Sequence, residues 1–253
     1  NPWWLAAACG FDLAGLLPAG IFWWRLLRVC GQDARLGETL RAYYIGHLGK
    51  YVPGKAMVVV LRAGLIHSHR VDPGIAAASV FAETLTMMAV GAGLAAAVLA
   101  VRVHDAQELF WGAVGLAIAS LAPTIPPVFR RLARMAGVGR SQPAVAENLQ
   151  RLGYTTLLGG WLGMLVVWAC LSLSFWATIR ALGVGDLGPA EHFTGYLAAV
   201  SLSMVAGFLS LIPGGLGVRD AILLKLTSRL LPLAAAQATL AAIMLRLIWL
   251  LSE

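Results

Sequence analysis

Two stretches of this chain look like copies of one another, and each would break a membrane helix. Tyr51-Val52-Pro53-Gly54-Lys55 is followed by Arg62, then, 20 residues after Pro53, by Pro73 and Ala76-Ala77-Ala78. Leu211-Ile212-Pro213-Gly214-Gly215 is followed by Arg219, then, 19 residues after Pro213, by Pro232 and Ala234-Ala235-Ala236. Proline removes a backbone donor and clashes with the preceding turn, and glycine lets the chain reverse. A duplicated break inside apolar sequence is the pattern of transporters built from repeats, whose ligand sites lie where broken helices meet.

The sequence around both breaks is apolar enough for a bilayer. Of the 253 residues, 59% are hydrophobic and 12% charged, about half the charge of a soluble domain. Several apolar runs reach the ~20 residues needed to cross a hydrocarbon core of ~30 Å. No stretch is long and polar enough for a soluble catalytic domain. The chain therefore reads as an all-α integral membrane protein, one transmembrane domain over residues 1–253, with about 6–8 segments. The formal net charge of +7 comes mainly from arginine and suits cytoplasmic loops near anionic head groups. Cys9, Cys30 and Cys170 are scattered, with no metal-ligand spacing and no disulfide framework. No cleavable signal peptide is expected, because Arg25 and Arg28 follow the first apolar stretch instead of preceding it.

Full spans are expected over Trp3–Trp24, Ile75–Val101, Leu109–Val128, Leu152–Ile179 and Leu233–Leu251, while Phe193–Leu211 and Val218–Leu231 flank the Pro213-Gly214-Gly215 break as a second hairpin entering from outside, its longer arms either re-entrant or crossing fully. The third is loosened at its end by Pro123, Pro126 and Pro127. Leu40–Val52 and Ala56–Ile66 are too short to cross and read as a re-entrant hairpin with Pro53-Gly54 at its tip. Asp72 before Pro73 makes an N-cap with proline at the first helical position. Phe129–Arg151 is an extended polar segment. Positive-inside bias puts residues 25–41 and 129–151 in the cytoplasm and residues 102–108 and 180–191 outside; Lys225 and Arg229 run against this scheme. Three full spans then separate the breaks. An odd number reverses direction, so the repeats, about 38–101 and 191–251, are expected to be inverted.

Backbone groups left open by a broken helix are tolerated in a membrane only against protein or a wet cavity. A helix starting after Pro-Gly points free N–H groups and its positive dipole end back at the break, which suits an anion such as phosphate. Lys50, Tyr51, Lys55 and Arg62 stand near the first break, and Gly217, Arg219 and Asp220 near the second. Glu83 and Arg246 lie inside apolar spans, where an ionisable group costs roughly 2.5–3.5 kcal/mol on insertion scales and seeks a partner. Their distances from Pro73 and Pro232 suggest a Glu83–Arg246 pair or shared polar site. Asp12 has no evident partner in sequence. His67-Ser68-His69 is more simply solvated than metal-binding, and Ser172, Ser174, Ser201 and Ser203 read as helix-packing or back-bonding residues. No catalytic triad, nucleotide-binding or zinc motif is present, and no cofactor, metal or nucleic acid is expected.

The segments Gly49-Lys50-Tyr51-Val52-Pro53-Gly54-Lys55, with Arg62 and Glu83 downstream, and Ile212-Pro213-Gly214-Gly215-Leu216-Gly217-Val218-Arg219-Asp220 resemble the lysylphosphatidylglycerol synthetase transmembrane, or flippase-like, family. The likeness covers nearly the whole chain, and the acidic residue that follows the family's arginine is filled by Asp220. In the multiple peptide resistance factors this module is fused to a soluble aminoacyl-transfer domain and moves aminoacylated phospholipid between leaflets. The 253 residues leave no room for that domain, so aminoacyl transfer is not carried over.

What the resemblance implies is lipid translocation in a bacterial cytoplasmic (inner) membrane. An anionic lipid head group, phospholipid or polyisoprenyl-phosphate-linked, would sit between the breaks against Lys50, Tyr51, Pro53, Gly54, Lys55, Arg62, Glu83, Pro213, Gly214, Gly215, Gly217, Arg219, Asp220 and Arg246. With no ATP motif, movement would be downhill or ion-coupled, Glu83 being a candidate coupling group. The alternatives are a membrane enzyme or subunit of lipid-linked glycan or aminoacyl-lipid synthesis, and a homo-oligomeric or enzyme-bound membrane partner without transport.

Overall fold

A computed structural model describes residues 1–52, 56–67, 71–102, 107–135, 147, 151–184, 187–210 and 212–252, without the side chains of Tyr51, Ala56 and Ala133. Pro53, Gly54, Lys55 and His69 lie outside the described residues. Among the described residues, all regular elements are helical: α1 (Pro2–Val29), α2 (Leu36–His47) with a 3₁₀ turn at Leu48–Tyr51, α3 (Ala56–Ile66), α4 (Pro73–Arg102), α5 (Gln107–Leu121) with a 3₁₀ turn at Ala122–Thr124, α6 (Pro126–Met135), α7 (Tyr154–Ala181), α8 (Pro189–Leu209), a 3₁₀ turn at Pro213–Gly215, α9 (Val218–Leu230) and α10 (Ala235–Ser252).

Local chemistry sets these boundaries. Four helices open on a proline, at Pro2, Pro73, Pro126 and Pro189, where the missing N–H has no intrahelical partner to lose. The expected cap at Asp72 is present, its Oδ1 accepting the Ile75 N–H at 2.9 Å. After α1, Gly31 adopts φ 75° while its N–H and that of Gln32 reach back to the carbonyls of Arg28 and Leu27. That pair of bonds is a Schellman closure, in which a left-handed glycine satisfies the last free carbonyls.

Five helices, α1, α4, α7, α8 and α10, are long and apolar enough to cross a membrane. A sixth crossing is reached if α5 and α6, bent by 74° at their junction, count as one broken span. The number sits at the low end of the expected range because α2, α3 and α9 have only 12, 11 and 13 residues, or roughly 16–20 Å of helix. The first residues of the polar segment Phe129–Arg151, up to Met135, belong to α6.

The chain divides into two compact units: residues 1–16, 91–117 and 165–253, and residues 17–90 and 118–164. Each contains one hairpin, α8–α9 in the first and α2–α3 in the second, together with parts of the long helices. In the α2–α3 unit, the buried Trp23 indole donates to Ser79 Oγ at 2.8 Å. Phe22 fills the space over Gly160, where a Cβ would come within 2.3 Å of its ring. In the α8–α9 unit, Trp168 lies equally close over Gly91. There the Trp249 indole donates to Ser174 Oγ at 3.0 Å, and Ser174 donates to the Ala8 carbonyl at 2.8 Å.

Ser172, Ser201 and Ser203 bond carbonyls of their own helices, as the sequence suggested, while Ser174 ties two helices together. Asp12 gains a partner invisible in sequence, accepting a hydrogen bond from Ser252.

The two hairpins are unequal in length. α2 and α3 are both half-length, as a re-entrant hairpin requires. α8, with 21 residues, is about 32 Å long and can cross alone, whereas α9 cannot. Helix length therefore does not hold Pro213 at the membrane midplane.

Candidate functional site

In the α2–α3 unit the charged side chains close on one another. Arg62 of α3 donates through Nη1 to Glu83 Oε2 at 2.8 Å, and the Tyr43 hydroxyl of α2 donates to Glu83 Oε1 at 3.1 Å. Thr84 Oγ1 adds a bond to Glu83 Oε2 at 3.2 Å. A second guanidinium nitrogen of Arg62, Nη2, donates to His47 Nδ1 at 3.2 Å. The guanidinium lies 3.8 Å from the Tyr43 ring centroid, well within cation–π range. Both charges are dry, the Arg62 and Glu83 side chains being 3% and 2% exposed. Burial removes water from each charge, and the bonds just named replace it everywhere but at Arg62 Nε, which is buried without a partner.

Gly46 makes this geometry possible. A Cβ there would come within 2.4 Å of Arg62 Cγ, so only glycine lets the α3 arginine slide past α2. Gly49 does the same for the backbone of Met57 and Val58, at 2.8 and 2.7 Å. Lys50, in the turn between the arms, is half-buried.

In the α8–α9 unit the break is built from three left-handed glycines, Gly214, Gly215 and Gly217, at φ 59°, 66° and 79°. A side chain at any of them would be strained. Gly207 of α8 faces the outgoing arm, its would-be Cβ 2.9 Å from Arg219 Cβ. Both hairpins thus set a glycine of the incoming arm against an arginine of the outgoing one, Gly46 against Arg62 and Gly207 against Arg219. The aromatic partner recurs as well, Arg219 lying 4.4 Å from the Trp249 ring centroid.

Asp220 stands in the first turn of α9, next to Arg219 and the Pro213–Gly215 turn. Its Oδ2 accepts the Gly217 N–H at 3.1 Å, so the chain's own carboxylate occupies the start of α9. The same oxygen accepts from Arg246 Nη1 of α10 at 2.6 Å, and Arg246 Nη2 reaches the Gly214 carbonyl at 3.5 Å. This pair is open where the other is sealed, with Arg246 and Asp220 side chains 26% and 38% exposed. It heads an apolar groove of about 390 Å³ between α9 and α10, walled by Leu216, Leu224, Ala242, Ile243 and Leu247.

These contacts correct the expected Glu83–Arg246 pair. Glu83 is taken by Arg62 and Tyr43, and Arg246 by Asp220, each within its own unit. Position along a helix fixed the depth of a side chain in the sequence argument but not the direction in which it points. Arg62 is also not an open cation, since Glu83 neutralises it. Sequence reasoning missed Tyr43, His47 and Trp249, which carry no charge signal, and it missed Gly46 and Gly207. Those two glycines had a signal, standing seven and six residues before Pro53 and Pro213.

Comparison with curated proteins and with solved structures gave no match. The model of one family, described as the lysylphosphatidylglycerol synthase TM region, matches residues 1–251. Matched over that length and carrying five helices long and apolar enough to cross a membrane, the chain belongs to the lysylphosphatidylglycerol synthase TM region family of multi-pass membrane proteins.

Proposed function

We propose that the protein binds a lipid with an anionic head group and moves it between the leaflets of a bacterial cytoplasmic membrane. The reading is supported above all by the groove between α9 and α10, apolar along its length and headed by Arg246. A lipid has the same polarity pattern, a charged group at one end of apolar chains. Leu216, Ile243 and Leu247, which line the groove, are 57%, 53% and 46% exposed, so a lipid can enter sideways without crossing a polar surface. Arg246 carries five N–H donors, enough to hold Asp220 and a phosphate oxygen together. An anion there gains a charge-assisted bond.

The α2–α3 hairpin is then the candidate coupling element. Glu83, the candidate coupling group, is held there by Arg62 and Tyr43. The chain carries no nucleotide-binding motif, so the lipid would run downhill or against a proton. Native mass spectrometry of the purified protein tests the binding step. Anionic phospholipid should be retained by the wild type and lost with Arg246→Gln; equal retention by both, or only neutral lipid on the wild type, would refute the site.

A further inference from the structure

The ten residues of α6, Pro-Pro-Val-Phe-Arg-Arg-Leu-Ala-Arg-Met, contain three arginines and no acid. At ~100° per residue they fall into three sectors. Pro126 and Phe129 are buried and fasten the helix to its own unit. Arg130, Arg134 and Arg131 form the second sector, with Arg131 and Arg134 exposed. Val128, Leu132 and Met135 form the third, 37%, 43% and 70% exposed.

An apolar stripe that the fold leaves open, next to a row of cations, is not a spanning surface. A spanning helix avoids arginine at its centre. Nor is it an ordinary solvated face, which would not carry a methionine 70% exposed beside an exposed leucine. The 74° bend at Ile125 turns α6 well away from the axis of α5. If α5 stands in the membrane, α6 runs close to its plane.

We infer that α6 is an in-plane interfacial helix that docks on anionic phospholipid, Val128, Leu132 and Met135 entering the acyl boundary and Arg130, Arg131 and Arg134 meeting the phosphates. Its partner is a leaflet surface, and its cationic row favours an anionic one. Two arginines are already aimed by their own helix, Arg130 Nε donating to the Pro126 carbonyl at 3.0 Å and Arg134 Nε to the Arg130 carbonyl at 3.4 Å. Each of these bonds uses the Nε donor, not the terminal nitrogens. The contact is separate from the α9–α10 groove, so it stands or falls independently of lipid translocation.

The test uses the full chain, with its three cysteines replaced and a single new one carrying an environment-sensitive fluorophore. The label is placed through Leu132→Cys or, on the polar sector, Arg131→Cys, with Met135→Cys as a second apolar position. Proteins are read in nanodiscs of phosphatidylglycerol and of phosphatidylcholine. In phosphatidylglycerol, the labels at 132 and 135 should be blue-shifted and resist aqueous iodide several-fold better than the label at 131. That protection should weaken in phosphatidylcholine and in the R130Q/R134Q background. Equal quenching at 131, 132 and 135 would overturn the docking surface, and equal protection in the two lipids would overturn its preference for anions. Protection in lipid-free detergent that disappears on dilution would show that a second protein covers the stripe, and would overturn the lipid assignment.

Discussion

Arg62 and Glu83 stand 2.8 Å apart in a site that exposes 3% of one side chain and 2% of the other, while Arg246 and Asp220, 2.6 Å apart, remain open at 26% and 38%. The two hairpins thus carry the same kind of bond in opposite settings. The order of charges is also reversed. In the first, the hairpin arm supplies the arginine and the next helix the acid; in the second, the arm supplies the acid and the next helix the arginine. A dry pair holds structure, and an open one can exchange partners.

Breaking the dry pair should be costly. Glu83→Gln leaves Arg62 buried without its counter-charge, an expected loss of ~3–5 kcal/mol. Replacing both, as Arg62→Met with Glu83→Leu, should recover much of that loss, because buried pairs often repay little beyond their own desolvation. Thermal unfolding in detergent of Arg62→Met, of Glu83→Leu and of the double variant reads the coupling. Additive losses would mean that the pair is not coupled.

The open pair should behave differently. Arg246→Gln is expected to cost under ~1 kcal/mol, the range of exposed ion pairs. Asp220→Ala should cost somewhat more, ~1–2 kcal/mol, since it also removes the bond to the Gly217 N–H at the start of α9. Melting temperatures should therefore rank wild type, Arg246→Gln, Asp220→Ala from highest to lowest. Arg246→Gln unfolding first would reverse the assignment of roles.

Glycine substitutions separate packing from flexibility. At Gly49 a Cβ would strike the backbone of Val58 at 2.7 Å, so Gly49→Ala is expected to cost ~1–3 kcal/mol by overpacking. At Gly64, inside α3, a Cβ would meet nothing within 4 Å. Gly64→Ala should then be neutral or stabilising by up to ~1 kcal/mol through helix propensity. Equal melting temperatures for the two variants would refute the close approach of α2 and α3.

Cys30, at the end of α1, is 1% exposed. Burial pushes its thiol up to about 12, with Arg151 pulling the other way. An acid with a raised value in the fold keeps its proton there, so this contribution to stability is whole below the ordinary value of about 9 and lost as pH rises toward 12. At pH 8 roughly one Cys30 in ten thousand would be thiolate. Maleimide should not modify Cys30 until the protein is denatured, and prompt modification of the folded protein would contradict this environment.

Hydropathy made the long helices legible to within a few residues, and proline marked the start of α4 at Pro73. The N-cap at Asp72 was legible for the same local reason. The partner of Glu83 was not. Arg62 and Arg246 are both arginines at plausible depths, and the choice between them depends on helix rotation and on Gly46, which admits Arg62 beside Tyr43. α6 was masked by its own prolines. Pro126-Pro127 resembles the end of a span, although Val128, Leu132 and Met135 already follow helical spacing. The unequal length of α8 and α9 was legible too, Phe193–Leu211 and Val218–Leu231 standing close to the observed Pro189–Leu209 and Val218–Leu230.

Lipid exchange in sealed liposomes, followed by dithionite quenching of fluorescent phosphatidylglycerol, addresses the central proposal. Wild type should make inner-leaflet label accessible far faster than protein-free vesicles, and Arg246→Gln, folded by its melting temperature, should be at least ~10-fold slower, a loss of about 1.4 kcal/mol of interaction with the moving head group. Wild type at the protein-free rate, or Arg246→Gln at the wild-type rate, would contradict it.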